Sequence, residues 1–191
     1  VNHSLGAVPE MVIFKCRNAG EQWYTYHHGI NGGVSPEDYA IYLNLTNTPS
    51  NTNTFLNDTA PTSTNFTVHS GNQINGSTKN YIAYLFATLD GVSKVGNYTG
   101  NGSSQNIACG FSAGARFVLI KRTDSTGDWY MWDTERGIVA GNDPHVSLNN
   151  TVAEVTSDDS IDPVSSGFTV NQVSATNINV TSATYIFLAI A

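Results

Sequence analysis

The amino-acid sequence predicts an all-β protein, a β-sandwich built from an internal duplication of about 100 residues per copy. Short runs of β-branched and aromatic residues alternate with turns rich in Asn, Gly, Ser and Asp, which is typical of antiparallel sheets. No window keeps a helical apolar period over about ten residues, so amphipathic helices are not expected. The same motifs occur in the same order in both halves of the chain, which indicates a repeated β unit.

The two copies align on a lysine at the end of an apolar run and on a tryptophan that follows it. Lys15 falls on Lys121 and Trp23 falls on Trp129, both at a spacing of 106 residues. Later blocks align at spacings of 102 to 105 residues, as expected when loops change length after a duplication. These blocks pair Leu43-Asn44 with Leu148-Asn149, Phe66-Thr67-Val68 with Phe168-Thr169-Val170, and Tyr81-Ile82 with Tyr185-Ile186.

The duplication divides the chain into a first β repeat at residues 1–95 and a second β repeat at residues 96–191. The segment before the second lysine strand, residues 96–111, has its counterpart before Val1 under the same alignment. The first repeat therefore lacks this lead-in segment, and we expect the chain to be part of a longer polypeptide.

Strands are expected wherever β-rich runs lie between turn residues. Such runs lie near residues 10–16, 22–28, 39–45, 65–69, 80–88 and 95–99, with counterparts near 115–122, 128–134, 145–149, 167–171 and 183–190. The core is expected to bury Val12, Phe14, Ile82, Leu85, Val118, Ile120, Phe168 and Ile186. Lys15 and Lys121 should keep their ammonium groups near solvent or a carboxylate, because an unpaired buried charge is costly.

Composition excludes several classes of partner. A net charge of −7 and only eight basic residues argue against nucleic-acid binding, which needs clustered Lys and Arg. The longest apolar runs, residues 81–87 and 185–191, have the length of strands and not of membrane spans, so membrane insertion is not expected. Cys16 and Cys109 do not align between the copies and are expected to be buried thiols rather than a disulfide.

A series of motifs follows one order along the chain. The series comprises His3–Pro9, Phe55–Pro61, Tyr81–Ala87, Tyr98–Gly102, Asp133–Gly137 and Ser166–Val170. Together these motifs resemble a repeat found in tail-fibre and appendage proteins of marine bacteriophages, over essentially the whole chain. The resemblance implies a jelly-roll or concanavalin/SPRY-like β-sandwich in a virion protein, in a family with no established enzymatic activity. The first copy has His27-His28-Gly29 in place of the Asp-x-x-Arg-Gly element, so only the second copy is expected to use that element.

Aromatic residues of the tryptophan strands are the first candidates for a ligand surface. Trp23 and Trp129 either fill the core, as a position shared by both copies, or stack on a sugar ring. Tyr130 and Trp132 lie on the opposite face of their strand, because side chains alternate along a strand. If that face points outward, it is the better candidate for sugar binding.

Charged residues specific to the second copy are the other candidates. Asp133 and Arg136 belong to a turn that either grips a glycan hydroxyl or ties a loop to its own sheet. Asp158 begins an acidic run that ends at Asp162, for which a solvated turn, a calcium site and a catalytic pair are the alternatives. The predicted ligand-binding residues are therefore Tyr130, Trp132, Asp133, Arg136 and Asp158.

No metal site, cofactor or catalytic residue is predicted. The five histidines do not form a ligand set, and the adjacent His27 and His28 point to opposite faces of a strand. The sequence has no motif for a nucleophile or for phosphate binding, and we expect no cleft with two facing carboxylates. The chain is therefore not expected to be an enzyme.

These observations lead to two hypotheses about function. The first is a non-enzymatic module of a virion appendage, a tail fibre or tail-associated protein, that contributes to recognition of host-surface glycan. The alternative is a structural capsid decoration or fibre spacer with protein–protein contacts only. From the resemblance we expect a location in the virion, contacts with other virion structural proteins and a homo-oligomer, with a trimer as one possibility.

Overall fold

The computed structural model describes residues 1–191 and is mostly β, with 35% of the residues in strands and 6% in helices. This confirms the prediction of an all-β protein. The strands are β1 (Met11–Cys16), β2 (Tyr24–His27), β3 (Tyr39–Tyr42), β4 (Ser50–Asn51), β5 (Tyr81–Phe86), β6 (Ser93–Thr99), β7 (Gln105–Ala108), β8 (Phe117–Arg122), β9 (Trp129–Asp133), β10 (Val146–Ser147), β11 (Ile161–Val164), β12 (Gly167–Val170) and β13 (Thr184–Ile190). The helical residues form two 3-10 turns, Ile30–Gly33 and Pro36–Asp38, and one short helix, α1 (Asn72–Asn75).

The chain divides into two units, Val1–Ala87 and Thr88–Ala191. The boundary predicted from the sequence lies between residues 95 and 96. The difference arises because β6 begins at Ser93 and pairs along its whole length with β13, the last strand of the second unit. The β6 ladder and the bridge between Leu89 and Ser93 before it therefore belong to the second unit.

The first unit contains one antiparallel sheet with the strand order β4-β3-β2-β1-β5. Its core covers one face of this sheet and includes Val12 and Phe14 from β1 and Tyr26 from β2. Phe55 and Phe66, from the irregular segment between β4 and β5, pack against the ring of Phe14. Aromatic side chains from this segment thus cover the inner face of the sheet.

The strand predicted near residues 65–69 is absent. Asn65 forms only an isolated bridge with Asn2, and the segment before it is folded into a turn. In this turn the Thr62 hydroxyl accepts hydrogen bonds from the backbone N–H groups of Thr64 and Asn65. Local side-chain bonds of this kind compete with a strand ladder for the same backbone donors.

The strand β5 shows which face of its sheet is buried. The prediction that Ile82 is buried was wrong, because Ile82 is 37% exposed and Tyr84 is 45% exposed. Their neighbours Tyr81, Ala83 and Leu85 point the other way and pack against the core. Alternation along the strand therefore places Ile82 on the outer face, one residue out of the expected register.

The second unit is a β-sandwich of two antiparallel sheets. Their strand orders are β10-β9-β8-β13-β6 and β11-β12-β7. The rings of Phe168 from β12 and Phe187 from β13 meet edge to face, with their centres 5.3 Å apart. The strands β7 and β11 were not predicted because each has only four residues, β7 begins with two polar residues and β11 contains a proline. Pro163 is accommodated because β11 is an edge strand.

Aligned tryptophans make the same backbone hydrogen bond in both units. The N–H of Trp23 donates to the side-chain oxygen of Asn44 at 2.9 Å, and the N–H of Trp129 donates to Asn149 at 2.7 Å. Each asparagine also donates its amide to the residue before the tryptophan, Gln22 or Asp128. One asparagine in each unit therefore fixes the start of the tryptophan strand.

Aligned tyrosines are also used alike. The Tyr81 hydroxyl accepts a hydrogen bond from the N–H of Gly76 at 2.8 Å, and the Tyr185 hydroxyl accepts one from the N–H of Val180 at 3.0 Å. Each tyrosine begins or nearly begins the last strand of its unit and ties that strand to the loop before it.

The aligned lysines each donate to the backbone carbonyl six residues later, Glu21 for Lys15 and Gly127 for Lys121. Lys15 is half-buried, with its Nζ 5.8 Å from the centre of the Trp23 ring. Lys121 is completely buried, and burial lowers its pKa to about 8 although the Asp128 charge acts in the opposite direction. Lys121 therefore lies away from solvent, and Asp128 supplies its electrostatic attraction.

Candidate functional site

A pocket of about 150 Å³ lies in the second unit, beside the end of the sheet formed by β9 and β10. We call it the histidine pocket. Its polar wall consists of Asp128, Tyr130, His145, Ser147, Asn150 and Asp158, and its apolar wall consists of Val152, Ala153, Val155 and Ala175.

The local backbone explains why a pocket forms here. The strand β10 has only two residues, and the chain then leaves the sheet. It returns at Val155, where the backbone N–H and carbonyl of Val155 pair with those of His145 at 2.9 and 3.0 Å. The segment between these two residues bulges away from the sheet and forms the outer wall of the histidine pocket.

His145 forms the floor of this pocket and is only 3% exposed. Its ring lies 5.3 Å from the ring of Trp132 and meets the ring of Tyr130 edge to face, also at 5.3 Å. The Nδ1 atom lies 3.6 Å from the nearer carboxylate oxygen of Asp158, which is beyond hydrogen-bond distance. His145 Nδ1 thus has no hydrogen-bond partner within the chain.

Asp158 is 8% exposed and presents one oxygen without a partner. Its other oxygen accepts a hydrogen bond from the Ser160 hydroxyl at 2.6 Å, and that hydroxyl also contacts the hydroxyl of Thr176 at 2.8 Å. Buried polar groups are nearly always paired, and leaving one unpaired costs about 1–3 kcal/mol. Two residues that line the histidine pocket, His145 and Asp158, thus each keep one buried polar atom without a partner.

Asp128 lies on the wall of the same pocket but its carboxylate is already engaged. It accepts hydrogen bonds from the side-chain amides of Asn149 at 2.7 Å and Asn150 at 3.2 Å. The hydroxyl of Ser147 donates to it at 3.5 Å. The sequence analysis did not anticipate that Asp128 and Asp158 would line one pocket. Of the two, Asp128 organises the wall and Asp158 offers the unpartnered oxygen.

A second pocket of about 150 Å³ adjoins the first one. We call it the threonine pocket, and its wall includes Arg122, Thr126, Asp128, Tyr130, Ala175 and Thr176. The Tyr130 hydroxyl donates a hydrogen bond to the Ala175 carbonyl at 3.4 Å. Burial, with the negative charges of Asp128 and Asp158, raises the pKa of Tyr130 to about 12, so its hydroxyl stays protonated.

The structure brings together two of the five predicted ligand-binding residues. Tyr130 and Asp158 line the histidine pocket. Trp132, predicted for the same surface, is 0% exposed and belongs to the core of the second unit. Its face of β9 is covered by the other sheet of the sandwich, so its ring is not available for sugar stacking.

Asp133 and Arg136, the remaining predicted residues, do not line either pocket. They form an ion pair with each other, and Arg136 Nε also lies 2.9 Å from the carboxylate of Glu154. Glu154 lies between Ala153 and Val155, which form part of the apolar wall. The charged turn therefore ties the outer wall of the histidine pocket to β9.

Sequence reasoning missed His145 and Asp128. The strand register offers a signal for His145, because Tyr24 pairs with Tyr42 and Tyr130 pairs with Ser147. In the first unit, Tyr42 therefore occupies the position of Ser147, and its ring fills space against Tyr24 at 5.1 Å.

By the same register, Ala40 stands where the second unit has His145, and the alignment places Gln22 at the position of Asp128. The polar residues of the pocket are thus specific to the second copy. A comparison of aligned positions, and not only of extra motifs, would have found them.

The acidic run that begins at Asp158 is organised by hydrogen bonds. Asp159 and Asp162 both accept hydrogen bonds from the Asn171 amide, at 3.0 and 2.7 Å. Asp143 accepts hydrogen bonds from the N–H groups of Val139 and Ile161. Burial raises the pKa of Asp143 to about 7 despite these two bonds. No group of three or more His, Cys, Asp or Glu side chains is arranged to hold a metal ion.

Comparison with known proteins gives a family without an activity. Residues 1–191 match a protein family described as a domain of unknown function, DUF7483. No curated protein and no solved structure matches the chain. The structure contains no helix with the length and hydrophobicity of a membrane span.

Proposed function

This chain belongs to the DUF7483 family, and from its residues we propose that it is a non-enzymatic, glycan-binding module of a bacteriophage virion appendage. The observation that carries the proposal is the histidine pocket in the second unit. The pocket joins an aromatic ring, Tyr130, to two buried polar atoms without partners, those of His145 and Asp158. Its volume of about 150 Å³ suits a ligand of the size of one sugar ring.

The wall of the histidine pocket has both polar groups and an aromatic ring, which are the two kinds of group that a sugar contacts. A sugar ring offers hydroxyl groups that donate and accept hydrogen bonds and C–H groups that pack on an aromatic ring. The free carboxylate oxygen of Asp158 would accept a hydrogen bond from a sugar hydroxyl, and His145 Nδ1 would donate or accept one according to its tautomer. Apolar walls with a few well-placed polar groups are typical of small-molecule sites.

A non-enzymatic role is supported by the hydrogen bonds of Asp128, one of the two carboxylates that line the pocket. A glycosidase needs one carboxyl as acid and another as base or nucleophile, on either side of the scissile bond. Both oxygens of Asp128 already accept hydrogen bonds from neighbouring side chains. Asp128 therefore serves to hold the wall, and the pocket binds without cleaving.

We infer that the two units arose by duplication of one β module and that the second unit has a jelly-roll-like arrangement. The support is the equivalent strand order β3-β2-β1-β5 and β10-β9-β8-β13, with the repeated bonds of aligned Trp, Asn, Lys and Tyr residues. After such a duplication both copies keep the core. The polar pocket found in one copy is then free to serve a ligand.

The virion location follows from the resemblance to appendage repeats of marine bacteriophages. In that setting, the module is part of a tail fibre or tail-associated protein, forms a homo-oligomer and contacts other virion structural proteins.

A second candidate function is a structural spacer or capsid decoration with protein–protein contacts only. The observation that favours it is β5, an edge strand of its sheet whose outer face exposes Ile82 and Tyr84. Exposed apolar edge strands are sites of association between chains. This candidate needs no ligand in the histidine pocket.

Binding to a glycan array distinguishes the two candidates. We expect the wild-type protein to bind a limited set of glycans and Asp158→Asn to lose at least about tenfold in affinity, roughly 1.4 kcal/mol, because the acceptor oxygen becomes an amide. The matched control is Tyr84→Ala, which removes an exposed tyrosine outside the pocket and should leave binding unchanged.

Three outcomes would contradict parts of the proposal. Equal binding by Asp158→Asn and wild type would remove the histidine pocket from recognition. Loss of self-association in Tyr84→Ala, with no glycan bound by any variant, would support the spacer. Release of new reducing ends from a bound oligosaccharide would show that the protein is an enzyme.

A further inference from the structure

The histidine pocket and the threonine pocket share part of their walls. Asp128, Tyr130 and Ala175 line both of them. The hydrogen bond from the Tyr130 hydroxyl to the Ala175 carbonyl forms the shared boundary. The Tyr130 side chain therefore separates two sites of similar volume, each about 150 Å³.

A chain of hydroxyl groups joins the two pockets behind this boundary. Thr176 lines the threonine pocket, and its hydroxyl contacts that of Ser160 at 2.8 Å. The Ser160 hydroxyl donates to Asp158, which lines the histidine pocket, at 2.6 Å. Ser160 is 0% exposed and Thr176 is 6% exposed, so this connection is shielded from solvent. The walls of the two pockets are thus fixed relative to each other.

The charges around the pockets restrict the ligand. Asp128 contributes a carboxylate to both pockets, and Asp158 contributes another to the histidine pocket. The cation in the threonine pocket, Arg122, is held by Asp124 through two hydrogen bonds of 2.9 Å. The charge of Asp128 is attracted to the buried Lys121, but no Lys or Arg forms an ion pair with Asp158. An acidic sugar would therefore meet the negative charge of Asp158 in the histidine pocket, which disfavours uronic and sialic acids.

We propose that the two pockets are adjacent subsites for one neutral oligosaccharide, with one sugar residue on each side of Tyr130. This inference rests on the proposed function, since it assigns the class of glycan that the same site recognises. The sugar in the histidine pocket binds the free atoms of His145 and Asp158. The next sugar lies in the threonine pocket, near Thr126 and Thr176.

Linking two sugars raises affinity because the second sugar binds without a further loss of translational freedom. A neutral disaccharide should consequently bind more tightly than its monomer. An increase of about tenfold or more is expected, in line with the gains from joining two weak sites. A third sugar should add little.

The experiment is calorimetric titration of the full chain with matched neutral sugars of increasing length. The probes are N-acetylglucosamine, chitobiose and chitotriose, and glucose with maltose and cellobiose; glucuronic acid is the charged probe. The wild type should bind at least one disaccharide about tenfold more tightly than its monomer, with no measurable binding of glucuronic acid.

Two variants close one subsite each. Thr126→Trp fills the threonine pocket and Val152→Trp fills the histidine pocket; both positions are exposed, so the fold should tolerate the change. Thr126→Trp should lower disaccharide affinity to that of the monomer and leave monomer affinity within about twofold. Val152→Trp should abolish binding of both. Val139→Trp, at an exposed position outside both pockets, is the control.

The outcomes separate this inference from the proposed function. If the wild type binds monomer and disaccharide equally, or if Thr126→Trp leaves disaccharide affinity unchanged, the two-subsite assignment is wrong while glycan binding stands. Tighter binding of glucuronic acid than of neutral sugars would also overturn it. If the wild type binds no sugar of any length in this panel or on the array, both proposals fail together.

Discussion

Individual buried residues set how the stability of this protein depends on pH. Asp143 is 0% exposed, and burial raises its pKa to about 7, with the repulsion of Asp162 and Asp159 adding to the effect. In the unfolded chain the same carboxyl has an ordinary pKa of about 3.9. The folded state therefore binds a proton more tightly than the unfolded state does.

Because the folded state binds this proton more tightly, the protein becomes less stable as pH rises. The contribution of Asp143 to stability is fully present below its unfolded pKa and is lost as pH rises through about 7. We expect the free energy of unfolding to fall between about pH 4 and pH 7, and Asp143→Asn to flatten this slope. Urea unfolding at several pH values measures this dependence of the unfolding free energy on pH, and the exposed Glu135→Gln is the control variant. An unchanged slope in Asp143→Asn would contradict the assignment.

At the scale of strands, Asn44 and Asn149 hold the start of the tryptophan strand in their own unit, and we call them the asparagine caps. Asn44 and Asn149 each accept the N–H of an aligned tryptophan and each donate to the residue before it. Replacing either by Ala leaves a backbone donor without its partner. We expect Asn44→Ala and Asn149→Ala to lower the free energy of unfolding by a similar amount, about 1–3 kcal/mol.

Chemical denaturation of both variants tests this equivalence. The exposed Asn53→Ala serves as control and should change stability by less than about 0.5 kcal/mol. Asn149→Ala should additionally weaken sugar binding, because Asn149 orients Asp128 on the pocket wall. A large cost at one asparagine and none at the other would argue against equivalent caps.

Local sequence patterns predicted most of the strands but not the segments between them. The runs that became β1, β8 and β13 are apolar and β-branched, so propensity and burial agree there. The run at 65–69 also contains aromatic and β-branched residues, yet its backbone donors do not enter a ladder. Asn65 donates to the Thr62 hydroxyl, Phe66 to the Val1 carbonyl and His69 to the Phe55 carbonyl. Ile82 was assigned to the wrong face because YIAYLF is apolar on both faces and carries no alternation.

The candidate site could be predicted only in part for a related reason. Tyr130 and Asp158 were predicted because one is an aromatic residue and the other an acidic residue of the second copy. His145 joins them because it precedes β10, which pairs with β9, and because it bridges to Val155; no apolar or polar periodicity of the sequence indicates these pairings. Trp132 was misassigned because alternation identifies two faces of a strand but does not say which of them a second sheet will cover.

At the scale of the whole molecule, we propose that only one of the two similar units carries the binding site. The first unit fills the equivalent position with Ala40 and Tyr42, whose ring packs against Tyr24. The second unit opens it with His145 and Ser147. Ligand contacts should accordingly be confined to residues 88–191.

Titration of the isotopically labelled protein with a neutral disaccharide, followed by NMR chemical shifts, tests this claim most directly. The account predicts that the largest changes occur at the His145 ring and at the backbone amides of Tyr130 and Asp158. Amides of residues 1–87 should stay unchanged. Saturable changes confined to the first unit, or the absence of any change at His145 when sugar is bound, would contradict the account.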